Sequence, residues 1–106
     1  MIKNLSPFEV NEMIKAGEKL RLIDVREQWE RDIVKLEDSY HMPLSDFLKF
    51  VKDISLEDKN VVYCHHGSRS LSVCNYLIKN GFKEVINLRG GIHLWSIAVD
   101  PALPRY

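Results

Sequence analysis

The sequence predicts an α/β domain in which a central, mostly parallel sheet is covered by helices on both faces. Three observations lead there. Short apolar runs of strand-forming residues recur at 20–25, 61–63 and 85–88. Stretches with apolar residues at helical spacing lie between them. Glycines stand just past two of those stretches, at Gly17 and Gly81, where a left-handed residue ends a helix. The 106 residues suit one domain, 1–106. A domain of this size buries roughly 60 % or more of the surface its unfolded chain exposes, so one core suffices.

Ser6 opens the first helix. Ser6 and Glu9 have the spacing of a capping box, and Pro7 takes the first helical position, where a missing N–H costs nothing. Val10, Met13 and Ile14 form its apolar stripe. Residues 20–25 read as a mostly buried strand ending at polar Asp24 and Arg26. Residues 27–33 read as a short helix with Trp29 and Ile33 turned inward, and 34–44 as irregular or briefly extended. Ser45 is expected to cap a helix that buries Phe47, Leu48 and Val51. After the strand at 61–63, Ser70 can cap a helix whose stripe is Leu71, Cys74, Leu77 and Ile78. Beyond the strand at 85–88, Gly90-Gly91 turn the chain into a last helix carrying Ile92, Trp95 and Val99. The tail from Asp100, with two prolines, is expected to run over the surface.

Fifteen lysines and arginines balance fifteen acidic residues. That neutrality argues against nucleic acid or an anionic membrane as the main partner, since both are held by excess positive charge. No apolar stretch approaches the roughly 20 residues of a membrane helix. Residues 1–7 lack the apolar segment of a signal peptide, so a cytoplasmic, reducing setting is expected. Two cysteines are too few for a disulfide scaffold and read as free thiols.

The chemistry concentrates at Cys64. It directly follows a strand, and Cys64-His65-His66-Gly67-Ser68-Arg69 leads to the Ser70 helix. Ligands of open α/β sheets bind beyond the carboxyl ends of strands. A loop curling there into a helix N-terminus aims backbone N–H groups at one point, and the helix dipole adds positive potential. Gly67 permits the backbone such a cradle needs, and Arg69 adds a fixed charge. A thiol so placed is expected to ionise more readily than a free one and to act as a nucleophile. The competing reading makes Cys64 the last small hydrophobe of a buried strand. Cys74, on an apolar helix stripe, reads as core. Trp29 and Trp95 read as core or pocket-wall aromatics, and His41 and His93 as isolated. Cys64, His65, His66 and Cys74 fit no common zinc spacing, so no metal is expected.

Cys64-His65-His66-Gly67-Ser68-Arg69-Ser70 resembles the active-site loop of the rhodanese-like domain family. Other segments, in order along the chain, resemble the same family. These are Leu22-Ile23-Asp24-Val25-Arg26-Glu27, Met42-Pro43-Leu44, Gly90-Gly91-Ile92-His93-Leu94-Trp95, and the ending from Val99 to Tyr106. The chain departs from the family pattern at Asp38 and Ser39, which stand where glycine and alanine are usual, so an altered turn is expected.

The resemblance implies a rhodanese-like three-layer domain and a sulfurtransferase that carries sulfur as a persulfide on Cys64, with no other cofactor. It implies a small anionic donor such as thiosulfate, drawn in by Arg69, and a thiol or a sulfur-relay protein as acceptor. Loop amides of residues 65–70 would stabilise the anion, His65 and His66 would tune charge and acceptor choice, and Asp24 and Arg26 would order neighbouring loops. Two rivals share the fold. One is a cysteine phosphatase or arsenate reductase, whose loop is one residue longer than the four between Cys64 and Arg69. The other is a non-catalytic regulatory module or a carrier dedicated to one partner.

Overall fold

The computed structural model describes all 106 residues. Its strands are β1 (Ile2–Leu5), β2 (Leu20–Asp24), β3 (Ser39–His41), β4 (Lys59–Tyr63) and β5 (Glu84–Leu88). Its helices are α1 (Pro7–Lys15), α2 (Gln28–Ile33), α3 (Phe47–Phe50), α4 (Ser68–Lys79) and α5 (Gly91–Ala98), with 3-10 turns at Leu44–Asp46 and Val51–Asp53. The five strands form one sheet in the order β1-β5-β4-β2-β3, and every pair is parallel. No helix is long and apolar enough to cross a membrane.

Side chains alternate between the faces of each strand, and both faces are covered. Along β4, Val61 and Tyr63 join the cluster of Val10, Leu36, Ile92 and Trp95, on the side of α1 and α5. Val62 and Cys64 join Phe47, Val73, Cys74 and Leu77, on the side of α3 and α4. Two buried faces explain why the strands read as nearly continuous apolar runs. The α1 terminus forms as its sequence dictates: the Ser6 hydroxyl accepts the Glu9 N–H at 3.2 Å and Glu9 accepts the Ser6 N–H at 3.0 Å.

Four sequence expectations change, and one strand is added. Trp29 and Ile33 point outward, 59 % and 40 % exposed, and the residue α2 buries is Glu30. A six-residue helix has little apolar surface to dictate its facing, and ion pairing of Glu30 decides it. Ser45 caps nothing: it lies within the 3-10 turn, and Leu48 is exposed while Phe47 is buried. The helix α4 starts at Ser68, earlier than expected, with Gly67 at its cap and Ser70 inside its first turn; Leu71 is exposed and Val73 buried. The edge strand β1 had no signal, because only Ile2 and Leu5 are even half-buried and it pairs with β5 alone. The tail leaves the surface at its end, where Tyr106 returns half-buried beside Arg26 and Glu30.

The Asp38-Ser39 departure is absorbed locally. Asp38 adopts φ 60°, the left-handed conformation that glycine takes freely and aspartate tolerates. The Ser39 hydroxyl donates to the Leu36 carbonyl at 2.7 Å as β3 begins. This turn sits at the amino end of the sheet, opposite the end that carries Cys64.

Candidate active site

Third of five strands, β4 delivers Cys64 at the middle of the sheet's carboxyl edge. The next residues turn at once into α4, and the turn depends on Gly67. Its φ is +107°, and a Cβ there would stand 3.3 Å from the Gly90 nitrogen and 3.5 Å from the Leu88 oxygen. Only glycine fits that backbone without strain. The turn brings the Gly67 N–H onto Cys64 Sγ at 3.1 Å, and the Ser70 N–H reaches the same sulfur at 3.4 Å. Of the loop amides at 65–70, these are the two that reach it.

A second element grips the loop from behind. The Ile92 N–H donates to the Cys64 carbonyl and the His93 N–H to the His65 carbonyl, each at 3.0 Å. The start of α5 approaches so closely that a Cβ on Gly91 would collide with both carbonyls. Cys64 is therefore held at both ends: carbonyl by α5, sulfur by α4.

The Ser70 hydroxyl lies 3.4 Å from Sγ, but it has one hydrogen and three acceptors within reach. The nearest is Asn87 Oδ1 at 2.6 Å. Asn87 is oriented for this role because its amide nitrogen donates to Asn4 Oδ1 at 3.0 Å and to the Gly67 carbonyl at 3.3 Å. Asn87 is not marked by the sequence, and Gly91 is marked only as part of the turn into the last helix; their contacts with the loop exist only once β5 and α5 are beside it.

Cys64 is buried, with 1 % of its surface exposed, as the core reading of its sequence position requires. Its surroundings are nevertheless not those of a core thiol. Burial pushes the thiol up, but the Ser70 hydroxyl, the Ser70 and Gly67 amides and the Arg69 charge together outweigh it and hold Cys64 below the usual thiol range. Cys74, equally buried on α4, has no such donors. Burial first, and then the Cys64 charge, push it up to about 12.

Arg69 does not stand free beside the sulfur. Its guanidinium meets both oxygens of Glu30 at 2.8 Å. Glu30 also accepts the Glu27 N–H and the Tyr106 hydroxyl, each at 2.8 Å, so its carboxylate is saturated. These bonds, Arg69 foremost, hold Glu30 down at about 2 despite burial. The Tyr106 hydroxyl in turn accepts from Arg26 at 2.8 Å. Arg26 and Asp24, both fully buried, are joined by three bonds of 2.8–2.9 Å, and Asp24 further accepts from Tyr63 and Arg31. Arg26 also ties down the Val34 carbonyl at 2.7 Å, while His41 holds the Arg26 carbonyl at 2.7 Å. Asp24 and Arg26 thus order the loops after β2 and make no contact with Cys64. The sequence carries no local mark for Glu30, and Tyr106 is marked only as the close of the ending from Val99 to Tyr106.

His93 is not isolated. Its ring lies 5.8 Å from that of His65 and 4.9 Å from that of His66, and the His65 and His66 centroids are 4.0 Å apart. Tyr106 stacks on His65 at 3.9 Å with nearly parallel planes. Burial and the two neighbouring imidazoles lower the His65 pKa. No group of three or more His, Cys, Asp or Glu side chains is arranged to hold a metal ion. Ser68 is exposed at the start of α4 and touches none of these groups.

Comparison with known proteins identifies the family. The family model described as the rhodanese-like domain matches residues 6–98. The chain is 35 % identical over 100 residues to the "Putative sulfurtransferase YtwF" of Bacillus subtilis, covering 94 % of this chain and 96 % of that protein. It is 32 % identical over 96 residues to the thiosulfate sulfurtransferase GlpE of Coxiella burnetii, covering 91 % and 89 %. Identity reaches 40 % over 93 residues with the rhodanese-like/PpiC domain-containing protein 12, chloroplastic, of Arabidopsis thaliana. That match covers 84 % of this chain but only 31 % of the longer plant protein. A crystal structure of a rhodanese-like domain protein from Staphylococcus aureus superposes with a TM-score of 0.84 over 98 % of each chain, at 22 % identity. With the parallel sheet, the Cys64 loop and these matches together, the chain belongs to the rhodanese-like domain family.

Proposed function

We propose that this protein is a sulfurtransferase that takes a sulfane sulfur onto Cys64 and passes it to a thiophilic acceptor. One observation carries the reading: Cys64 Sγ, at the carboxyl end of a central parallel strand, receives N–H donors from Gly67 and Ser70 and ionises below the usual thiol range. The names of the relatives YtwF and GlpE support it.

With thiosulfate as donor, the Cys64 thiolate attacks the outer sulfur. The sulfur–sulfur bond of the donor breaks, its electron pair leaves with sulfite, and Cys64 holds a persulfide anion. An acceptor, cyanide in the test tube or a thiol or relay protein in a cell, then attacks that outer sulfur and returns the thiolate. The Gly67 and Ser70 amides favour the thiolate that attacks the donor and the thiolate that the acceptor restores. Because 1 % of Cys64 is exposed, side chains at the loop surface must part before donor and sulfur meet. Nothing in this cycle calls for a metal or cofactor. Two unbridged cysteines suit a reducing, cytoplasmic setting.

Intact mass spectrometry after exposure to thiosulfate or polysulfide tests the proposal. A gain of one sulfur atom mapped to Cys64, abolished by Cys64→Ser, is expected. No gain from either donor, or a gain mapped to Cys74, rejects it and leaves a binding module or an enzyme of another chemistry.

A further inference from the structure

We propose that Glu30 sets the donor preference of the Cys64 site: by cancelling the charge of Arg69, it favours sulfane-sulfur donors bearing one negative charge or none over the thiosulfate dianion. This rests on Cys64 being the sulfur carrier. Arg69 is the one permanently charged side chain in the loop 64–70, and a loop built to attract a dianion would leave it uncommitted. Here it is bound at both outer nitrogens by Glu30 at 2.8 Å, in the bidentate geometry that is strongest for this pair.

Glu30 has no freedom to withdraw when a donor arrives. It is 3 % exposed, and its oxygens are also fixed by the Glu27 amide and the Tyr106 hydroxyl. Arg26 is likewise spent on Asp24, and Arg31 is bound to Asp24 and Ser39. Beside the loop, therefore, the Arg69 charge is matched by a carboxylate, and the imidazoles of His65, His66 and His93 cluster next to it.

A charge-neutral cradle suits the persulfide of a small thiol. The Cys64 thiolate attacks the terminal sulfur of R–S–SH, the sulfur–sulfur bond breaks, and its electron pair and the donor's proton leave together as R–SH. Cys64 keeps the persulfide anion. Atoms and charge balance with no oxidant or reductant.

The test compares rates of Cys64 loading, read by intact mass, from thiosulfate and from β-mercaptoethanol persulfide. The proteins are wild type, Glu30→Gln, Arg69→Gln and the double variant. The ratio of thiosulfate to persulfide rates should follow the net charge of the pair. It rises about tenfold in Glu30→Gln, falls about tenfold in Arg69→Gln, and returns close to the wild-type value in the double variant. Salt sharpens the test: taking the Debye length from about 30 Å to about 3 Å should collapse these differences. A purely structural role predicts equal losses for both donors and an unchanged ratio, which would overturn the proposal. If the wild type loads from neither donor, the sulfur-carrier reading itself fails; loading from both with a ratio insensitive to the pair's charge sinks only the role of Glu30.

Discussion

Cys64 and Cys74 sit in the same apolar cluster, on the same side of the sheet, and both are buried. Their thiols are nonetheless pushed in opposite directions, one below its usual range and one up to about 12. The difference lies in what each sulfur meets. Cys64 accepts two backbone N–H groups at the start of α4. Cys74, farther along the same helix, faces the Ile86 carbonyl at 3.8 Å, an acceptor that can favour only the protonated form. Burial raises a thiol unless donors answer the negative charge. The groups that hold the Cys64 thiol down, the Ser70 hydroxyl and the Ser70 and Gly67 amides, all lie at the start of α4, and none of them reaches Cys74.

Three substitutions probe that line. The largest effect is expected from Gly67→Ala. The new Cβ must be accommodated at φ +107° and against the Gly90 amide, which swings the Gly67 N–H off the sulfur. Loading of Cys64 should slow about a hundredfold, as when an anion-stabilising donor is lost, and its thiol should titrate at higher pH. An unchanged rate measured by intact mass would show that the amide is dispensable. Ser70→Ala keeps the Ser70 N–H and removes a hydroxyl already committed to Asn87, so a slowing of about threefold is expected in the same assay. A loss as large as that of Gly67→Ala would move the anion's support from the backbone to this side chain. Cys74→Ser should be the mildest for chemistry, leaving the loading rate within about twofold. It places a hydroxyl at a fully buried position, so denaturant unfolding should show a loss of about 1 kcal/mol. Loss of transfer in folded protein would give Cys74 a chemical role the geometry does not supply.

The pattern of elements that positions Cys64 could be read in advance because strand ends and helix starts leave local marks. Val61-Val62-Tyr63 before the cysteine, Gly67 after it and Gly90-Gly91 before α5 each act through backbone geometry within a few residues. What stayed hidden depends on distant partners. The burial of Glu30 is decided by Arg69 and Tyr106, so the facing of α2 does not follow from its own six residues, and Trp29 faces outward instead of inward. The edge strand β1 is specified by its ladder with β5 rather than by apolar pattern. Arg69 as a free attractor of anions was a reasonable reading of the loop alone; only the fold shows its charge matched.

That carboxylate also leaves a mark on stability. The folded-state pKa of Glu30 is lowered to about 2 by Arg69 and its other donors. Its stabilisation is fully present above the ordinary carboxylate value near 4.5 and is lost as the pH falls through about 2. Replacing Glu30 with alanine leaves Arg69 unpaired but, with 36 % of its side chain exposed, still partly solvated, and should cost about 1 kcal/mol at neutral pH, read by denaturant unfolding. The variant should also lose much of the wild type's change in stability across that acid window.

The most direct test is to titrate the ultraviolet absorbance of the Cys64 thiolate, taken as wild type minus Cys64→Ser. Two amides answering a buried sulfur predict a midpoint below the ordinary thiol value of about 8.5. A midpoint at or above that value would mean the donors around Cys64 do not support an anion, contradicting the account.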